Sequence, residues 1–141
     1  MYEYKCTVDR VVDGDTIDVT LDLGFSVLYK TRVRLFGIDT PESRTRNKDE
    51  KARGKMSAAF LKMAVEGADT VVIRTKLRDS RGKFGRVLGV VVCDGEDVNE
   101  AMIDAHLAAK YFGQNKTAIE AVHQANRTKL IEMGLFEPVD G

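Results

Sequence analysis

Residues 13–24 read DGDTIDVTLDLG, and this stretch decides the fold. Ile17, Val19, Leu21 and Leu23 alternate with Asp18, Thr20 and Asp22. Successive side chains of a strand point to opposite faces, so the period of two predicts a strand half buried against a core. Asp13-Gly14-Asp15 in front of it is a turn of the kind that joins strands, and residues 2–12 (YEYKCTVDRVV) supply the strand before that turn. Gly24 offers the next turn. From Val27 to Ile38 β-branched and aromatic residues resume, with Val33 and Leu35 alternating against Arg32 and Arg34. Three consecutive antiparallel strands are expected.

Beyond them lies a charged, proline-interrupted stretch, 40–53. Gly54 to Glu66 then places Met56, Phe60, Met63 and Ala64 at helical spacing, with Gly67 as a stop. Residues 70–77 (TVVIRTKL) and 85–93 (GRVLGVVVC) read as strands joined by a hydrophilic, glycine-bearing hairpin. Two more helices are expected, Val98–Ala109 and Thr117–Met133, the second ending near Gly134. Three strands, a helix, a hairpin and two helices describe an α+β chain, mainly β. The expected architecture is a five-stranded antiparallel barrel of the OB type with three packed helices, formed as one domain over residues 1–141.

A chain of 141 residues can bury a core without disulfides or structural metal. Its 43% hydrophobic and 31% charged content, with no apolar run long enough to cross a bilayer, reads as an ordinary globular protein with no membrane role. The N-terminus lacks the order of a signal peptide, so the chain as given reads as cytoplasmic, or as a secreted form whose signal was removed. Cys6 and Cys93 make neither a disulfide framework nor a metal cluster and are expected as buried free thiols. The 22 basic and 22 acidic residues cancel, so attraction to a polyanion must come from local segregation. Arg44, Arg46, Lys48, Lys51, Arg53 and Lys55 form one basic run; Arg74, Lys76, Arg78, Arg81, Lys83 and Arg86 form another. Each run alone is equally consistent with a solvated surface.

Parity points to a site. Asp15 shares a strand face with Ile17, Val19, Leu21 and Leu23, and Asp39 one with Val33, Leu35 and Gly37, so both carboxylates fall where core-facing rows run out. Carboxylates at the mouth of an apolar barrel invite a cation, and hard oxygen ligands suit Ca²⁺ or Mg²⁺ better than zinc. The plainer alternative is that each caps a turn. Glu42 follows Asp39 by three residues, held by Pro41, and is a candidate general base or water-mediated ligand. Arg34 and Arg86 carry guanidinium forks that match phosphate oxygens, though either alone is consistent with an exposed strand arginine. Strict alternation puts Arg34 opposite Asp39, so a twist or bulge is needed to bring them together. His106 and His123 stand isolated on helical segments and read as surface or packing residues.

Asp13-Gly14-Asp15-Thr16, Arg34-Leu35-Phe36-Gly37-Ile38-Asp39-Thr40-Pro41-Glu42, Lys83-Phe84-Gly85-Arg86 and Val98-Asn99-Glu100-Ala101 resemble, in order, the signature blocks of the staphylococcal nuclease (thermonuclease) family. The resemblance runs from about residue 4 to residue 112, and the segment from Thr117 resembles the family's last helix. It implies a monomeric, calcium-dependent nuclease that hydrolyses DNA and RNA, single strands preferred, to 3′-phosphate ends. Asp15, Asp39 and the Thr40 carbonyl would hold Ca²⁺, Glu42 would lie nearby through water at the position of a general base, and Arg34 and Arg86 would clamp the phosphate. Lys83 matches a phosphate-contacting lysine. Phe84 stands where the family usually has a tyrosine whose hydroxyl contacts a terminal phosphate, which leaves end preference open and favours endonucleolytic action. Tyr111 and Phe112 lie near the family's base-stacking tyrosines, with helix-end packing as the alternative. The hairpin between Asp15 and Arg34 is several residues longer than in the best-known members. A noncatalytic module of the same fold, binding nucleic acid or protein, is the competing function.

Overall fold

A computed structural model describes residues 2–76 and 87–140. The strands foreseen around residues 13–24 are β1 (Glu3–Asp13), β2 (Thr16–Asp22) and β3 (Leu28–Leu35), a continuous antiparallel meander. Its inward row is the one the period of two selects, except at its end: Ile17, Val19 and Leu21 from β2 and Val33 and Leu35 from β3 are buried, whereas Leu23 lies past the end of β2 at the turn and is exposed. Burying each such side chain contributes about 1.5–3 kcal/mol. After a two-residue strand β4 (Ile38–Asp39) and helix α1 (Lys48–Glu66), β5 (Val71–Thr75) pairs with β1 and β6 (Val87–Cys93) pairs with β5. Residues 77–86, which include Lys83, Phe84 and Arg86, lie outside the described residues.

The ring closes where Val33, Arg34 and Leu35 meet Val87, Leu88 and Gly89. This ladder is parallel, although every strand was expected to run antiparallel to its neighbours. The reason is arithmetic: an odd number of strands cannot alternate in direction all the way round, so a five-stranded ring contains at least one parallel pair. Otherwise the OB-type α+β barrel stands as expected, with Leu61 of α1 and Met102 of the second helix buried in the same core as Ile73 and Val91. Cys6 and Cys93 are free and sit opposite the same residue of the intervening strand, Val71. Burial, then the neighbouring Cys93 and Asp9, push the Cys6 thiol up to about 12.

Helix boundaries differ from expectation in two places. Helix α1 begins six residues earlier, because Asn47 accepts a hydrogen bond from the Glu50 amide at 2.9 Å and Asp49 and Glu50 occupy the first turn, where carboxylates are favourable. The second helix, α2 (Val98–Asp104), which follows the short strand β7 (Glu96–Asp97), stops five residues short of the expected Ala109. His106 adopts φ +63° and the Leu107 amide reaches back to Met102, a helix stop normally signalled by glycine and here made by histidine. Residues Ala109–Lys110 are released to form strand β8, which pairs with β4.

The last helix, α3 (Lys116–Glu132), packs Leu130 with Leu107 and Phe136 in a second apolar cluster. Asp49 ties this region together. It accepts from Arg53 at 2.9 Å, from Arg127 at 2.9 and 3.1 Å, and from the Val139 amide at 3.1 Å. Burial pushes its carboxyl up, but the bonds from Arg127, Val139 and Arg53 outweigh it and hold the group at about 2. A carboxyl depressed in the fold stabilises above its ordinary value and loses that contribution as pH falls through the depressed one, about 2 kcal/mol here. Urea denaturation at stepped pH should therefore show stability falling between about pH 4 and pH 2. In Asp49→Asn that portion of the slope should vanish; parallel slopes in the two proteins would assign the acid sensitivity elsewhere.

Candidate active site

Thr16 faces Arg34 in the β2–β3 ladder, and the Leu35 amide donates to the Asp15 carbonyl at 2.8 Å. The start of β2 and the end of β3 are thus locked side by side, which puts Asp15 next to Arg34. The Asp15 carboxylate is held from three directions: Thr16 Oγ1 donates to Oδ1 at 3.0 Å, the Thr40 amide donates to Oδ2 at 3.3 Å, and Arg34 Nη1 lies 3.2 Å from Oδ2. Arg34 also donates to the carbonyls of Leu35 and Ile38 and places Nη2 3.6 Å from Asp39 Oδ1. One guanidinium, 20% exposed, therefore bridges two carboxylates that are 14% and 33% exposed.

The meeting of Arg34 with Asp39 contradicts strict alternation, and the turn between them explains it. Gly37 takes φ +79°, a conformation that favours glycine, and the strand breaks at Phe36-Gly37. Val33 and Leu35 point into the core, but after the turn it is Ile38 that is buried. The inward phase has slipped by one residue. Asp39 consequently leaves the row assigned to it by parity with Val33 and Leu35 and joins the side that Arg34 occupies.

Thr40 is buried, and Glu42 is exposed. Helix α1 meets the backbone of this loop so closely that a Cβ on Gly54 would stand 2.6 Å from the Glu42 carbonyl oxygen. The Glu42 amide donates to Glu50 Oε2 at 3.2 Å, which fixes the loop from the same helix. Asp39, Thr40 and Glu42 line a cavity of about 610 Å³ that Glu50, Glu120 and His123 complete. Among the described residues no three His, Cys, Asp or Glu side chains lie close enough together to hold a metal ion. Asp15 and Asp39 already converge on one cationic group, and as hard oxygen donors they fit a divalent ion of the calcium type. Further ligands would be carbonyl or water.

On the other side of Asp39 opens a groove of about 900 Å³ with Arg34 at its foot and Phe36, Lys110, Tyr111 and Phe112 on its walls. The Tyr111 amide donates to the Gly37 carbonyl at 2.7 Å, so the two walls are stapled together. Tyr111 and Phe112 follow β8 rather than ending a helix, and Phe112 is 77% exposed, which removes helix-end packing as the explanation of its ring. Lys76 sits 5.5 Å over the Phe36 ring. Of the first basic run, Arg53 is buried on Asp49, whereas Arg44, Arg46, Lys48, Lys51 and Lys55 are exposed; in the second, Arg74 pairs with Glu3.

Two residues of this region gain their role only from the structure. Asn99, within a motif block but without an assigned role, is buried and uses its whole amide. Its Oδ1 accepts from Val91 N at 3.1 Å, and its Nδ2 donates to Phe36 O at 2.9 Å and Gly89 O at 3.3 Å. His123, read as surface or packing, is 6% exposed and places Nε2 2.8 Å from Asp39 Oδ2. Its signal was present: Ile119, His123 and Leu130 follow the apolar face of α3, and a histidine on that face needs a partner.

A family model described as staphylococcal nuclease homologue matches residues 32–132, which contain Arg34, Asp39, Glu42 and the groove. The chain belongs to the staphylococcal nuclease family. It is 32% identical over 116 residues to the endonuclease YhcR of Bacillus subtilis, covering 78% of this chain but 9% of that protein. With the SPbeta prophage-derived endonuclease YokF of the same organism it shares 35% identity, over 72% of this chain and 32% of the relative. The thermonuclease of Staphylococcus intermedius is 32% identical over 85% of this chain and 68% of its own length. The chain thus spans only a small part of some of these nuclease-family relatives. No helix among the described residues is long and apolar enough to cross a membrane.

Proposed function

We propose that this chain is a calcium-dependent, sugar-nonspecific nuclease that hydrolyses phosphodiester bonds of DNA and RNA, single strands preferred, and leaves 3′-phosphate ends. The observation that carries this reading is the convergence of Asp15, Asp39 and Arg34 at the foot of a groove walled by exposed aromatic rings and Lys110. Aromatic walls accept unstacked bases of any sequence, which matches sugar- and sequence-tolerant binding of single strands. The names of the relatives, endonuclease and thermonuclease, support the same class.

Asp15, Asp39 and the Thr40 carbonyl would hold the Ca²⁺, which when bound supplies Lewis acidity and offsets phosphate charge. Arg34, already aimed by the Leu35 and Ile38 carbonyls, binds the scissile phosphate from the groove's foot, with Arg86 as its partner and Lys83 as a further phosphate contact. Glu42 takes the proton of a water that attacks phosphorus. The bond from phosphorus to the 5′-oxygen breaks, the leaving 5′-oxygen takes a proton from solvent water, and the phosphate stays on the 3′-oxygen of the upstream fragment. Phe84 carries no hydroxyl for a terminal phosphate, in keeping with endonucleolytic action; Tyr111 and Phe112 stack bases.

Purified protein incubated with heat-denatured DNA and Ca²⁺ should yield fragments with 3′-phosphate and 5′-hydroxyl ends, and EDTA should reduce the rate to background. Hydrolysis indifferent to EDTA would rule out the metal assignment. Oligonucleotide binding with no product after long incubation would favour a noncatalytic module.

A further inference from the structure

We infer that His123 is a positioning residue that fixes the Asp39 carboxylate from the C-terminal helix and so sets how tightly the site holds a divalent cation; the inference rests on the calcium reading above. The contact joins residues 84 apart in the chain, at 2.8 Å, with the histidine side chain 8% exposed.

Three observations separate this role from ordinary packing. First, α3 is anchored without it: Asn126 donates to the Ala108 carbonyl at 3.2 Å, Arg127 forks onto Asp49, and Leu130 is buried in the second apolar cluster. Second, the imidazole carries a penalty an aliphatic residue would not. With Nε2 donating to Asp39, Nδ1 is buried with no hydrogen-bond partner among the described residues, and an unmet buried polar atom costs about 1–3 kcal/mol. A leucine between Ile119 and Leu130 would fill the same face without that cost. What histidine adds is the bond to Oδ2.

Third, among the described residues the bond falls on the oxygen of Asp39 that no other side chain contacts. Arg34 approaches Asp39 through Oδ1 and His123 through Oδ2, so rotation of the carboxylate plane is opposed from both sides. A ligand oxygen held in place before the cation arrives loses less freedom on binding, and removing such an outer partner from a metal site typically weakens affinity about 10- to 100-fold.

Calorimetric titration of the full chain with Ca²⁺, in wild type, His123→Leu and His123→Gln, tests this, with Tm recorded for each. Leucine keeps the packing and removes the donor; glutamine restores an N–H at comparable reach. His123→Leu is expected to raise the Ca²⁺ Kd about 10-fold or more without lowering Tm, and His123→Gln to return it to within about threefold of wild type. A wild-type Kd in His123→Leu overturns the inference while leaving the calcium reading intact. Absence of Ca²⁺ binding in wild type itself overturns both. If His123→Leu loses Mn²⁺ far more than Ca²⁺, the imidazole is a direct ligand and the positioning role is wrong.

Discussion

Arg34→Ala should lower kcat on single-stranded DNA by about 10²–10³-fold, the size of effect seen when a single preorganised charge-stabilising donor is removed from a transition state. The guanidinium is preorganised in the sense that matters: two backbone carbonyls and two carboxylates hold it, and it is mostly withdrawn from water while still lining the groove. Charge near a phosphate is worth more in such a setting than on an open surface. Arg34→Lys keeps the charge but loses the fork, and is expected to recover only a small part of the rate. Steady-state rates over a range of substrate concentrations separate the cases. An unchanged kcat with a raised KM would mean that Arg34 holds substrate and transition state equally, and the phosphate clamp would have to be assigned elsewhere. In metal-free buffer Arg34→Ala also leaves Asp15 and Asp39 without their shared cation, so its Tm should respond to Ca²⁺ more strongly than that of wild type.

The largest loss of stability should come from Asn99→Ala. Three backbone groups, Val91 N, Phe36 O and Gly89 O, end on this one buried amide. Truncation strands Val91 N and Phe36 O, while Gly89 O keeps the Phe36 amide at 2.8 Å, and at about 1–3 kcal/mol for each unmet buried group the loss should reach roughly 2 kcal/mol or more, a large share of the stability of a small domain. Because Phe36 belongs to the turn that aims Arg34 and Asp39, activity measured well below the transition temperature should fall as well. Denaturant unfolding of Asn99→Ala with a free-energy change under about 1 kcal/mol would show that water or a shifted backbone replaces the amide.

Patterning explains why the barrel was legible before its coordinates. Ile17, Val19 and Leu21, or Val33 and Leu35, declare their common face through spacing alone, because a strand has one period and one buried side. The three helices were equally visible, and the errors fell at their ends. Asn47 caps α1 from within a stretch dominated by charge, where a single capping side chain is a weak signal. His106 ended α2 in a conformation that spacing does not predict for histidine. The parallel β3–β6 ladder was implied by the strand count but not by any local signal.

Local spacing is enough to fix the strands and most of their inward rows, the three helices, and the set of residue types that includes Asp15, Arg34, Asp39 and Glu42. How those residues face one another depends on long-range packing. The turn at Phe36-Gly37 shifts the inward phase by one residue and so delivers Asp39 to Arg34. Closure of the barrel brings Asn99 beneath that turn, and the docking of α3 brings His123 onto the Asp39 carboxylate. The physical reason is one of range. Periodicity is fixed by the local geometry of strand or helix, whereas a contact across 63 or 84 residues exists only once the intervening chain has closed and packed.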